Sequence, residues 1–154
     1  MKLAPLFALS LAALLVALAG CGSSPKAVTK AEYQTQLAKS GQAVTLAGQQ
    51  VGKVITISGF NGAVTDLQKA LRDGETSLNG IEPPANARAA NKRLAQAFGD
   101  LADALEKVKE ARRVSIVKAR QALGELGKTD AIKEGRAAIQ ELNKLGYAAS
   151  GAAP

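Results

Sequence analysis

The sequence predicts an all-α protein, an up-and-down four-helix bundle with a separate apolar helix in front of it. Three observations lead there. From Thr29 to Tyr147 the apolar residues recur at steps of three and four, which places them on one face of a helix. The stretches so patterned are divided at Gly59, Gly80, Pro83-Pro84, Gly127 and Gly146, residue types that end or open helices. Large side chains are scarce, with no tryptophan, two tyrosines and three phenylalanines in 154 residues. The core is therefore thin and depends on small side chains that let helices approach closely.

The first element is MKLAPLFALSLAALLVALAG, residues 1–20, in which Lys2 precedes an apolar run from Leu6 to Ala19 broken only by Ser10. That is the layout of a secretory signal, and the run is shorter than the roughly 20 residues a spanning helix needs. A signal-peptide helix belonging to no core is expected, cleaved between Gly20 and Cys21; an uncleaved anchor is the alternative. Cys21 is the only cysteine in the chain, so no internal disulfide is available.

Leu18-Ala19-Gly20-Cys21 resembles the lipobox of bacterial lipoproteins. The resemblance implies a mature chain that starts at Cys21, with a diacylglyceryl group on its sulfur and acyl chains such as palmitate in the lipid. It also implies a place on the extracytoplasmic face of the cell membrane, or on an outer membrane if the host has one. Each buried methylene adds about 0.8 kcal/mol, so two or three chains hold effectively for good. Residues 21–28 are small, polar and proline-containing and suit a flexible tether that keeps the domain close to the membrane.

The bundle domain is expected over 29–147. Thr29-Lys30-Ala31-Glu32 reads as a capping box, opening a first helix with Tyr33, Leu37, Val44, Val51 and Ile55 on its buried face. Gly48 and Gly52 form a G-x-x-x-G pair that would allow close approach to a neighbouring helix. The β-branched runs 54–58 and 113–117 are read as helix, with strand left open. Gly59-Phe60-Asn61-Gly62 is expected as a turn, followed by a second helix through Val64, Leu67, Leu71, Leu78 and Ile81. Pro83-Pro84 opens a third helix that carries Leu94, Phe98, Leu101, Leu105 and Val108, then Ile116, Ala119, Leu123 and Leu126. Arg112 and Ser115 fall where the seam should be, which leaves local unwinding, a bend or a break open between 85 and 126. Gly127 caps this helix, and Thr129-Asp130 starts the last one, with Ile132, Ile139, Leu142 and Leu145 inward. Residues 148–154 are expected to be a disordered tail.

Chemistry is hard to find in this composition. There is no histidine, so the commonest general base and metal ligand is missing. Asp100, Asp103, Glu106 and Glu110 alternate with Lys107, Lys109, Arg112 and Arg113; pairs such as Asp103 with Lys107 and Glu110 with Arg113 describe a solvated face. No phosphate loop, dinucleotide fingerprint, calcium loop or zinc spacing occurs. The expectation is no enzyme, no cofactor and no metal.

Charge is the remaining lead. The chain has 20 basic and 13 acidic residues, and without residues 1–20, which contain Lys2 and no acid, the balance is 19 minus 13, or +6. Lys107, Lys109, Arg112, Arg113, Lys118 and Arg120 form the densest basic segment, a candidate contact surface for anionic lipid or cell-wall polymer. Nucleic acid is not expected, because aromatic residues to stack on bases are lacking.

Gly80-Ile81-Glu82-Pro83-Pro84-Ala85, with the ending Leu142-Asn143-Lys144-Leu145-Gly146-Tyr147, resembles small exported helical lipoproteins of high-GC bacteria. In that group a histidine often follows the proline pair, and here none does. The resemblance implies fold and place, and it implies no activity. The resulting expectation is a non-catalytic, lipid-anchored module that contacts a protein or envelope partner. The alternative is a binding protein for a small apolar or amphipathic ligand held within the bundle.

Overall fold

The structure is a computed structural model that describes residues 26–54 and 56–149. The leader, the Gly20–Cys21 cleavage site and the lipidation site Cys21 lie outside the described residues. Among the described residues five helices carry the fold: α1 (Lys30–Lys53), α2 (Ile57–Asn79), α3 (Arg88–Val114), α4 (Ile116–Leu126) and α5 (Asp130–Lys144). The all-α expectation holds. A one-turn 3-10 helix (Ala85–Ala87) precedes α3.

The bundle has four columns, and the fourth is divided. Ser115, with extended backbone, ends α3 and caps α4 by accepting from the Lys118 N–H at 3.1 Å. The phase shift at Arg112 and Ser115 is thus a break, and the helix expected over 85–126 is two helices. After it the chain doubles back, so that Leu126 at the end of α4 and Leu101 in the middle of α3 line one cleft. Helix α5 continues beside the N-terminal half of α3, with Glu141 paired to Arg93 and Tyr147 hydrogen-bonded to Asn86 at 2.7 Å. Helices α4 and α5 together cover α3, while α2 packs on both α1 and α3.

Local chemistry explains most boundaries. Thr29 and Glu32 form the capping box of α1: the Glu32 N–H donates to the Thr29 hydroxyl, and the Thr29 N–H donates to the Glu32 carboxylate at 2.8 Å. Helix α2 begins earlier than expected, because the Thr56 hydroxyl accepts from the Gly59 N–H at 3.2 Å and Phe60, Ala63 and Val64 are buried. Gly59–Gly62 is therefore helix and no turn. Among the described residues neither β-branched run forms a strand: residues 57, 58, 113, 114, 116 and 117 are helical, and Val54 and Ser115 are extended links. Gly146, with φ of 77°, reverses the chain after α5, a backbone region that favours glycine.

Two corrections concern the ends. The tether was expected to run to Val28, but Lys26–Ala27 (β1) pairs in parallel with Ile81–Glu82 (β2), in the register Lys26 with Ile81 and Ala27 with Glu82. The Lys26 N–H donates to Gly80 O and the Val28 N–H to Glu82 O. Backbone groups left free by the Pro83-Pro84 joint take up the incoming chain. At the other end, Ala148 and Ala149 were expected in the disordered tail, yet Ala149 is fully buried and its N–H donates to Asn143 Oδ1 at 2.7 Å.

The long axis has two unlike poles. One, which receives the chain at β1, gathers the start of α1, the end of α2, the start of α3 and the end of α5. The other gathers the end of α1, the start of α2 and the α3–α4 corner. Helix α3, 27 residues long, separates them by about 40 Å.

Candidate functional site

Three places could serve contact or binding: the aromatic pole where the chain arrives, a cleft in the side of the bundle, and the basic corner between α3 and α4. At the first, Tyr33 and Tyr147 pack edge to face, with centroids 5.2 Å apart and planes at 80°. The Tyr147 N–H donates to Leu142 O at 2.9 Å, Gln34 Nε2 donates to Gly146 O at 3.1 Å, and Lys30 Nζ stands 5.2 Å from the Tyr147 ring centre. The Leu142–Tyr147 ending thus serves the fold, because Gly146 turns the chain so that Tyr147 closes the pole. These groups satisfy one another.

The cleft opens where α1 and the α4–α5 column fail to close on each other. Val44, Thr45 and Gly48 of α1 face Leu126 and Ile132 across it, and Leu67, Leu71 and Leu101 form its floor. It measures about 340 Å³ and its lining is predominantly apolar. Gly48 and Gly52 do not bring helices together, since a Cβ at either would meet nothing within 4 Å. Close approach occurs instead between α2 and α3, where a Cβ on Gly74 would stand 2.8 Å from Phe98 Cδ2.

At the basic corner the six expected residues divide. Lys109, Arg112 and Arg113 converge with Asn61 and Thr65 of α2 around a polar cleft of about 420 Å³; Lys107, Lys118 and Arg120 are exposed outside it. Beside the cleft, Gln68 ties α2 to α3, donating to Ala102 O at 2.9 Å and to Glu106 Oε1 at 2.6 Å while accepting from Lys109. Lys109 also pairs with Glu106 at 3.2 Å. The Gln68 hydrogen bond first, then Lys109 and the nearby Arg113, hold the Glu106 carboxyl below the usual carboxylate range. Arg112 differs: its Nε is buried and has no hydrogen-bond partner among the described residues.

Of the carboxylates expected on a solvated face, Glu106 has its ion pair along α3, with Lys109, and Asp103 has its across to α2. Asp103 pairs with Arg72 of α2, where Lys107 was expected, and Glu110 forms no ion pair among those of the described residues. Among the described residues no group of three or more potential metal ligands converges, and no helix is long and apolar enough to cross a membrane.

Asn61 and Thr65 were missed because Gly59–Gly62 reads as a turn; once that segment is helical, their i,i+4 spacing puts them on one face. No protein-family model, curated protein or solved structure matches the chain.

Proposed function

We propose that this chain is a lipid-anchored, extracytoplasmic helical module without catalytic activity, which works by contact with an unidentified protein or an envelope component. The observation that carries the reading is the short stretch of sequence between Cys21 and Lys26, which is paired to the body of the fold. With lipid on Cys21, the five steps to Lys26 span about 12 Å on average. The aromatic pole, where the chain arrives, would stand within that reach of the membrane. Supporting this, the chain lacks histidine, and the pKa-shifted groups are surface ion pairs, the α1 cap and buried Tyr33. Mass spectrometry of protein extracted from membranes tests the anchor. A mature N-terminus at diacylated Cys21 is expected; an intact Met1 would overturn it.

A second reading has its own observation, the apolar cleft bounded by Val44, Gly48, Leu71, Leu101 and Ile132. Its volume, about 340 Å³, falls at the small end of ligand pockets, and a lining this apolar suits an acyl or other amphipathic chain. Titration with the fluorescent fatty acid parinaric acid should give saturable binding that Gly48→Phe abolishes. Equal binding by that variant would exclude the cleft.

A further inference from the structure

The α3–α4 corner combines features that a merely solvated helix surface does not require. Val114 and Val117 flank Ser115 with 67% and 71% of their surface exposed, the largest exposures among the large apolar residues described. Cations surround them in sequence, Arg112 and Arg113 before and Lys118 and Arg120 after. Neither Arg112 nor Arg113 takes part in an ion pair among the described residues, although Arg113 lies close enough to Glu106 to lower its pKa. Beside them lies the cleft in which Asn61, Thr65, Lys109, Arg112 and Arg113 meet. Arg112 lines that cleft, and its Nε is buried and has no hydrogen-bond partner among the described residues. A buried guanidinium nitrogen with no acceptor is costly, and an oxyanion that draws the Arg112 side chain toward the cleft would relieve it.

We propose that this corner docks on an anionic lipid surface: Val114 and Val117 enter the interface, Lys118 and Arg120 face the headgroup layer, and the cleft of Arg112 and Arg113 receives a headgroup phosphate. A soluble polyanion would match the cations equally well but would have no use for the two valines. The apolar pair beside the charges is therefore what selects lipid. Glu110 is the exposed acid of the α3 end and Glu106 is neutralised by Lys109, so the corner keeps its positive sign. The inference deepens the reading of a membrane-tethered contact module and depends on it only for which membrane lies within reach. A tether that extends at most about 18 Å between Cys21 and Lys26 brings the far pole to the same leaflet only if the bundle lies along the surface.

The test uses residues 22–154, which include all core residues described and lack Cys21, so that its outcome is independent of lipidation. Co-sedimentation is measured with vesicles of phosphatidylcholine and with vesicles of phosphatidylcholine and phosphatidylglycerol in equal parts. Binding to the anionic vesicles alone, weakened by salt, is expected. Arg112→Gln with Arg113→Gln should lower the partition coefficient about 25-fold, at roughly fivefold per cation. Val114→Ser with Val117→Ser, which leaves every charge in place, should lower it about tenfold. Lys92→Gln with Lys144→Gln, the same charge loss at the opposite pole, should change it little. Three results would overturn the proposal: no binding to anionic vesicles at low salt, an equal loss for the opposite-pole pair, or insensitivity to the valine pair. The last, together with binding of soluble polyphosphate as tight as that of vesicles, would assign the cleft to a polymer.

Discussion

The hydroxyl of Tyr33 donates to Oδ1 of Asn91 at 3.1 Å, deep in the bundle where both side chains are buried. Asn91 in turn donates through Nδ2 to Leu78 O at 3.0 Å, one of the last carbonyls of α2, which have no partner within their own helix. One amide thus links α1, α2 and α3. Asn91→Ala leaves a buried hydroxyl and a buried carbonyl unsatisfied and should cost about 2–4 kcal/mol in urea unfolding. Tyr33→Phe should cost about 1–2 kcal/mol, and the double variant less than the sum of the two. Strict additivity would show that the two residues are not coupled.

Alkaline pH acts on the same tyrosine. Burial first, and then the neighbouring Tyr147, push the Tyr33 phenol well above its ordinary value of 10.0. A group whose pKa is raised by folding contributes stability that is fully present below the unfolded value and is lost as pH rises. The unfolding midpoint should therefore fall above about pH 10, and Tyr33→Phe should flatten that fall. A midpoint independent of pH in that range, in the parent protein, would contradict the burial of the phenol.

Acid has the opposite sign at Glu32. Hydrogen bonds from the Thr29 backbone and hydroxyl hold its carboxyl below the ordinary 4.5. A pKa depressed by folding gives stability present above the unfolded value and lost as pH drops through the folded one. Glu32→Gln keeps the reach of the capping box and removes the titration. Below pH 4.5 the variant should therefore lose less stability than the parent, as followed by circular dichroism melts.

The glycines separate into two kinds. At Gly74 a methyl group would strike the ring of fully buried Phe98, and Gly74→Ala should destabilise by about 1–3 kcal/mol. At Gly48 and Gly52 a methyl would meet nothing, so Gly48→Ala and Gly52→Ala should each stabilise α1 by about 0.5–1 kcal/mol. A Gly74→Ala variant that melted at or above the parent would refute the α2–α3 contact described, and Gly48→Ala or Gly52→Ala melting below it would refute the open space at those positions.

Residue pattern made most of the helices legible, because burial at steps of three and four is a local signal. Thr29 with Glu32, the Pro83-Pro84 joint and the stop near Gly127 could all be read in the chain. Less local facts could not. Two glycines at Gly59 and Gly62 look like a turn until the Thr56 cap and the packing of Phe60 and Val64 hold them in a helix. The break at Ser115 showed only as a phase shift, since whether a seam bends or reverses depends on what α4 packs against. Of the basic corner, the cations on α3 could be found in the sequence, but their partners Asn61 and Thr65 come from a segment some 50 residues earlier whose face was unknown. Pairing of Lys26–Ala27 with Ile81–Glu82 had no signal at all, because two-residue strands are too short to carry a period.

That small ribbon has a mechanical consequence. Tension applied through residues 21–25 does not arrive at the first turn of α1, which would fray from its end. For a pull along the axis of β1, the bonds from Lys26 to Gly80 and from Val28 to Glu82 lie across the load and are strained together, in shear. Force is handed to the middle of the chain, at the link between α2 and α3, where Asn91 and the Pro83-Pro84 joint hold three helices. The chain is thus gripped from within, and a load at its amino-terminal side must shear a clasp before it can peel a helix.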